Sequence, residues 1–389
     1  MKMTTRRHFL SFLGTLPISA YGIMNVVGDQ DDHHLLFDWL DDPIATHNVG
    51  SEQMDEALEM LSPYAASFRG GLSNHGPMNA EAMVALGHHD AVKSWVENYR
   101  RRLEKRIAPK KLIEKSKWRE ALGDESRSRD WDRFFERELA EAPWRKVVGL
   151  WVPLLAPGIA ASGLHGVIRV GHAACSLSIK ENKVRLDELA RALGYWAATY
   201  LTLPGKYTGV GKLSPTSALK KVEQLPRKAR VSHGLITTQL KDLVGFEPFS
   251  TVVNLVDPTK GSPNFMSDLL ATFSGILINT KASSFDFLHA VTGAAAIREL
   301  LPHVSKAERP AVMAYSWQAA AAMFARYGQK GLAADIKTGT KTETTKVLAK
   351  LAVATGDEHS IKLVSACHRE WLRNPDPRLL AAAATRLLR

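Results

Sequence analysis

Two cysteines in 389 residues, Cys175 and Cys367, make at most one disulfide, so no disulfide framework holds this fold together. No glycine-rich GxGxxG follows a strand-like run, which leaves a Rossmann nucleotide site unsupported. The stretch GKYTGVGKL, Gly205 to Leu213, imitates a phosphate loop. Its glycine spacing is one residue too long, and Leu213 stands where magnesium needs a Ser or Thr. There is no GxSxG nucleophile elbow, and neither cysteine has the neighbours of a catalytic thiol. Nucleic-acid reading motifs are missing too. The formal charge of +11 comes from scattered lysines and arginines, with modest clusters at 100–117 and 206–230. A solvated basic face accounts for that pattern, and no nucleic-acid partner is expected. No apolar run is long and pure enough to span a bilayer, so no integral membrane segment is expected.

What is present is an ordinary globular composition, 45% hydrophobic and 23% charged, on a chain long enough to bury a large core. The N-terminus, TTRRHFL followed by FLSFLGTLPISA, has the form of a twin-arginine export signal with a cut after Ala20. It implies a periplasmic or secreted protein exported already folded, and a cytoplasmic one if the segment is only a basic tail. Residues 1–30 are therefore assigned to signal and leader, 31–50 to an acidic linker that includes Asp38 to Asp42, and 51–389 to a single folded domain.

Within that domain the apolar positions recur every three to four residues across Met54–Leu61, Asn79–Leu86, Val92–Ile107 and Trp131–Leu139. Val184–Leu203 and Ala311–Tyr327 are rich in alanine and aromatics on several faces, as interior helices are. LITTQL and STVVNLV are the only β-branched runs, each short enough to be a buried helical turn. Breaks are expected at Pro153–Gly158, Pro204–Gly211, Pro258–Pro263 and Pro375–Pro377. The predicted fold is all-α, one large multi-helix domain with helices layered around an enclosed core pocket.

The histidines carry the functional signal. Burying an imidazole costs free energy unless its nitrogens are satisfied, yet several lie in segments that read as interior. His165 and His172 share one helical face in GLHGVIRVGHAACSL, seven residues or roughly 10 Å apart. The natural reading makes one of them a metal ligand and leaves the other to support it or touch substrate. His289 sits in DFLHAVTG, with Gly293 four residues on. His75 sits in SNHGPM, where Gly76 and Pro77 fix it at the mouth of a helix. His359 and Lys362 share a face in GDEHSIK. Each alone is an ordinary core or surface residue; together they resemble the inward-facing ligands of a helix-bundle metal site. Imidazole-rich ligation suits iron, copper, zinc or nickel.

In order along the chain, SNHGPMNAEAMVALG, the block WREALGDESRSRDWDRFFERELAEAPWRKVVGLWVPLLAPG, HGVIRVGHA, RALGYWAATYLTLP, FLHAVTGAAAIRELLPHV, YSWQAAAAMFARYG and GDEHSIKLVSACHRE with NPDP resemble the questin oxidase-like family. The likeness runs from about Met54 to the C-terminus. It implies an oxidoreductase that uses dioxygen to oxidise or ring-open an aromatic, polyketide-like substrate, as a non-haem iron dioxygenase or as an NADPH-dependent Baeyer-Villiger monooxygenase. It further implies iron held by histidines and a carboxylated lysine, which maps to His75, His165 or His172, His289, His359 and Lys362. His75 and His165 are the expected catalytic positions, and Tyr195, Trp196, Tyr200 and Trp317 the expected pocket walls. A shorter chain and a leader set this sequence apart from the fungal members, which puts the anthraquinone substrate in question more than the metal. An exported helical binding protein without turnover is the rival from another class.

Overall fold

The computed structural model describes residues 50–262, 264–280, 284–329 and 345–388. The export signal, the acidic linker up to its last residue and the Asp38–Asp42 run lie outside them. Among the described residues the only paired strands are a hairpin of β1 (Ser67–Phe68) and β2 (Leu72–Ser73), with Ser67 opposite Ser73. The rest is helical. The first half contains α1 (Ser51–Leu61), α2 (Gly76–Ala85), α3 (Val92–Tyr99), α4 (Ser128–Glu141), α5 (Trp144–Leu155), α6 (His165–Ile179) and α7 (Lys183–Ala198). Two short helices, α8 (Pro215–Leu219) and α9 (Ile236–Leu240), precede α10 (Phe265–Asn279), α11 (Ser284–Leu300) and α12 (Arg309–Tyr327). The chain closes with α13 (Thr345–Thr355), α14 (Glu358–Arg373) and α15 (Pro377–Leu388). No described helix is long and apolar enough to cross a membrane.

The arrangement that matters for function is a ring of four helices. α6 packs on α2 and α11, and α14 packs on the same two from the other side. The sequence permits this close approach through small residues. A Cβ on Gly171 would lie 2.8 Å from the Cβ of Ala296, so α6 and α11 meet there nearly backbone to backbone. One on Gly293 would lie 2.4 Å from Leu164 Cδ2, and one on Gly76 2.6 Å from Leu61 Cδ2. Outside the ring, α7 backs onto α6 and α4 onto α7, while α10, α12 and α15 enclose the far side.

Local boundaries depart from the sequence pattern in three places. The Val92–Ile107 periodicity overruns its helix: α3 ends at Tyr99, a 3-10 turn covers Arg100–Arg102, and Leu103 is extended. Three consecutive partly or fully exposed arginines interrupt the apolar stripe that would have held another helical turn against the core. The Val184–Leu203 run stops at Ala198, where the Thr199 hydroxyl donates back to the Tyr195 carbonyl at 2.7 Å. Pro153 does not break α5, which continues to Leu155 because buried Val152 and Leu155 hold its last turn in the core. The two β-branched runs are a short helix at Ile236–Leu240 and a 3-10 turn at Val252–Asn254.

Candidate metal centre

Each helix of the ring brings one histidine to the same place. His75 is the N-cap of α2, with Pro77 in the first turn presetting the helical φ. Its backbone N–H donates to the Tyr99 hydroxyl at 2.7 Å, and Asn79 Nδ2 donates to its carbonyl at 3.1 Å. The entry to α6 is more unusual. Ser162, Gly163 and Leu164 all have positive φ, at 46°, 60° and 72°, and two of them carry a Cβ that disfavours this region. Such strain persists where surrounding contacts enforce it. Here it aims the Ser162 carbonyl at His165 Nδ1, 2.7 Å away. That carbonyl can only accept, so Nδ1 carries the proton and Nε2 presents a lone pair.

His289 on α11 is set the same way, with Nδ1 donating to the Phe285 carbonyl one turn back at 2.9 Å. His359 opens α14, whose N-cap Asp357 accepts from the Ser360 backbone at 3.1 Å and is gripped by Arg386 at 2.8 Å. Trp95 Nε1 donates to the Gly356 carbonyl at 3.0 Å and fixes the turn before it. One helical turn beyond His359, Lys362 is 1% exposed.

The rings converge. His75 stacks on His165 with centroids 4.8 Å apart, and His289 and His359 lie 4.8 Å and 6.4 Å from His165. Coordinating atoms of His75, His165 and His359 all fall within 4.8 Å of one another, a spacing that fits one metal ion. The decisive observation is what these atoms lack. His75 Nδ1, His165 Nε2, His289 Nε2 and Lys362 Nζ are buried without a hydrogen-bond partner. Orphaned buried nitrogens are costly, and several at one point mark a place for an ion or polar group rather than a structural network. The donor set is one that transition metals select: imidazoles, two of which, His165 and His289, have their protons tied back to carbonyls.

Electrostatics agree with that reading. Burial, reinforced by Lys362 and the neighbouring rings, holds His75, His165 and His289 well below the ordinary imidazole value. His359 is also lowered by burial, against the nearby Asp357 carboxylate, which favours its charge. Burial pulls Lys362 down to about 7, although Glu358 and Asp357 favour its charge. All four imidazoles are thus kept neutral, as ligands must be, and the lysine amine is partly neutral near physiological pH.

Two residues at this site escaped the sequence reading. Glu358 places Oε1 at 3.5 Å from His75 Nδ1 and 2.6 Å from Arg102 Nη2, a carboxylate between ligand and solvent. Phe285, 41% exposed, lies 4.6 Å from the His359 ring and 5.1 Å from His289. The available signals were adjacency to His359 in GDEHSIK and a spacing of four before His289.

His172 stands apart from the quartet. Its Nδ1 is engaged by Glu81 Oε2 at 2.6 Å, beside a cavity of about 20 Å³ that it lines with Cys175, Thr292, Glu299 and Arg369. Of the pair left open by the sequence, His165 is the one in the cluster of imidazoles. Of the four aromatics expected to wall a substrate pocket, Tyr195, Trp196 and Trp317 are buried in the core and Tyr200 is half-buried. The Trp196 and Trp317 indoles donate to the carbonyls of Gly158 at 3.2 Å and Val252 at 2.9 Å, and both are fully buried. Tyr200 packs its ring over Gly158. The Tyr195 hydroxyl bonds Ser73 Oγ at 2.7 Å and also engages Ser162. It braces both chain segments that lead into His75 and His165.

With this geometry in hand, comparison by family model is informative. Residues 72–207 match the model of the questin oxidase-like family, about a third of the chain. That segment carries His75 and His165, while His289, His359 and Lys362 come from the C-terminal part of the chain. No curated protein matches the chain.

Proposed function

We propose that this questin oxidase-like protein is an oxidoreductase that holds one redox metal, iron by preference, and oxidises or ring-opens an aromatic, polyketide-like molecule with dioxygen. The observation that carries the proposal is the meeting of four imidazoles and a buried lysine, with nitrogens of His75, His165, His289 and Lys362 that have no protein partner. His75, His165, His289 and His359 would hold the ion. Bound there, iron would supply the redox chemistry with dioxygen that no side chain of this protein offers.

Lys362 has a distinct part. Its neutral amine nitrogen can add to the carbon of carbon dioxide and lose one proton, which yields an N-carboxylate with anionic oxygens facing the imidazoles. Burial, which depresses the amine's proton affinity, favours the uncharged nucleophile that this addition requires. The Glu358 carboxylate, 3.5 Å from His75 Nδ1, adds negative charge beside that ring. Phe285 offers an exposed aromatic face at the cluster, suited to a planar ring lying beside the histidines. The experiment is metal analysis of protein purified without oxygen, alongside oxygen consumption with hydroxylated anthraquinones. About one equivalent of iron and substrate-dependent uptake are expected. Metal-independent turnover driven by NADPH would replace this reading with the monooxygenase alternative.

A further inference from the structure

The ring of four helices carries a second polar layer. On α2, Glu81 follows His75 by six residues; on α6, His172 follows His165 by seven; on α14, Arg369 follows Lys362 by seven. The Glu81 carboxylate takes both partners at once, His172 Nδ1 at 2.6 Å and Arg369 Nη2 at 2.5 Å. Arg369 also reaches Cys175 Sγ on α6 at 2.7 Å. One turn further, Arg373 forks onto Glu299 of α11 at 2.6 and 2.9 Å. Every helix that supplies a histidine to the site therefore supplies a group to a charge network about 10 to 15 Å along its axis.

The energetics argue against stability as the purpose. Each buried ion costs several kcal/mol to desolvate, and apolar replacement of such a network is often neutral or stabilising. What a directional network provides is register. A rotation or one-residue slide of α14 against α2 would leave Glu81 and Arg369 buried and unmatched, which is far costlier than the same slip in an apolar seam. Apolar side chains alone would not resist it well where α6 and α11 meet, because Gly171 lies directly against Ala296 and the two interlock little.

We infer that Glu81, His172 and Arg369 form a positioning layer that fixes the rotation and rise of α2, α6 and α14 so that their ligand atoms converge. This rests on the metal-site reading above. It assigns His172 a role through its neighbours rather than as a ligand.

The test uses the full chain, stripped with chelator and titrated with Co²⁺ as probe, reading affinity by calorimetry and ligand geometry by visible absorption. Two variants are compared with the parent, Glu81→Gln and the double replacement Glu81→Met with Arg369→Met. The double variant removes both charges, so it keeps the fold where a single unmatched charge would not. Both are expected to bind Co²⁺ roughly 10- to 100-fold more weakly, with altered absorption bands, while the double variant keeps the parent's helical content and melting temperature. A folded double variant with affinity within about twofold of the parent and an unchanged spectrum overturns the positioning role alone. Failure of the parent itself to bind Co²⁺ overturns this inference together with the metal site.

Discussion

Lys362 gives the sharpest quantitative test, because a buried amine leaves a signature on stability whether or not metal is present. Its folded value of about 7 lies below the 10.5 of an exposed lysine, so between those values the unfolded chain binds more protons. Stability must then rise with pH across that window. The penalty for burying the ammonium comes to roughly 4 kcal/mol at pH 7 and falls to roughly 3 kcal/mol at pH 8.5. The four histidines confuse the result little, since burial keeps them neutral in the folded chain and unfolded imidazoles lose their protons just above pH 7. The perturbation is Lys362→Met, which keeps the length of the stem and removes the charge. Denaturant unfolding of chelator-stripped protein in carbon-dioxide-free buffer should show the variant more stable at pH 7 by a few kcal/mol. The parent should recover about 1.5 kcal/mol of that gap by pH 8.5. Added bicarbonate should stabilise the parent and leave the variant unchanged. Parallel stability profiles for parent and variant would refute the reasoning, because they would mean the amine is solvated or already paired.

Three further outcomes follow from the same geometry. Phe285→Leu should raise KM for a planar aromatic substrate by about 2- to 10-fold while metal content stays at the parent level, as steady-state kinetics with parallel metal analysis would show. Gly171→Val should destabilise the fold by about 1–3 kcal/mol in denaturant unfolding, since its side chain must push α11 away at Ala296. Trp196→Phe, which strands the Gly158 carbonyl, should cost about 1–3 kcal/mol of stability in the same assay and leave KM unaltered, as expected of a core residue.

Much of this site was visible in the sequence because imidazoles among Gly, Ala, Val and Ile conflict with the hydrophobic pattern around them. His75, His165, His289, His359 and Lys362 are conspicuous for that reason, and the structure gathers those five while holding His172 aside. Periodicity could not separate His165 from His172, since both lie on one face; the difference is a carbonyl behind one ring and a carboxylate behind the other. The aromatics misled for a related reason. An Ala-rich helix with Trp and Tyr reads alike whether it lines a pocket or fills a core, and only the indole hydrogen bonds of Trp196 and Trp317 distinguish the two. Phe285 and Glu358 gave no separate signal, being ordinary residues whose meaning comes from what α14 and α11 place beside them. The left-handed turn at Ser162–Leu164 was equally hidden, because serine and leucine do not announce positive φ.

The central claim is that the four histidines and Lys362 form one metal site. Its most direct test is the metal content of anaerobically purified protein after reconstitution with ferrous iron, for the parent and for Lys362→Ala and His289→Ala. The account predicts about one equivalent in the parent and loss of retention in both variants, with helical content kept by circular dichroism. Less than about a tenth of an equivalent of any transition metal in the parent, or equal retention in all three proteins, would contradict it.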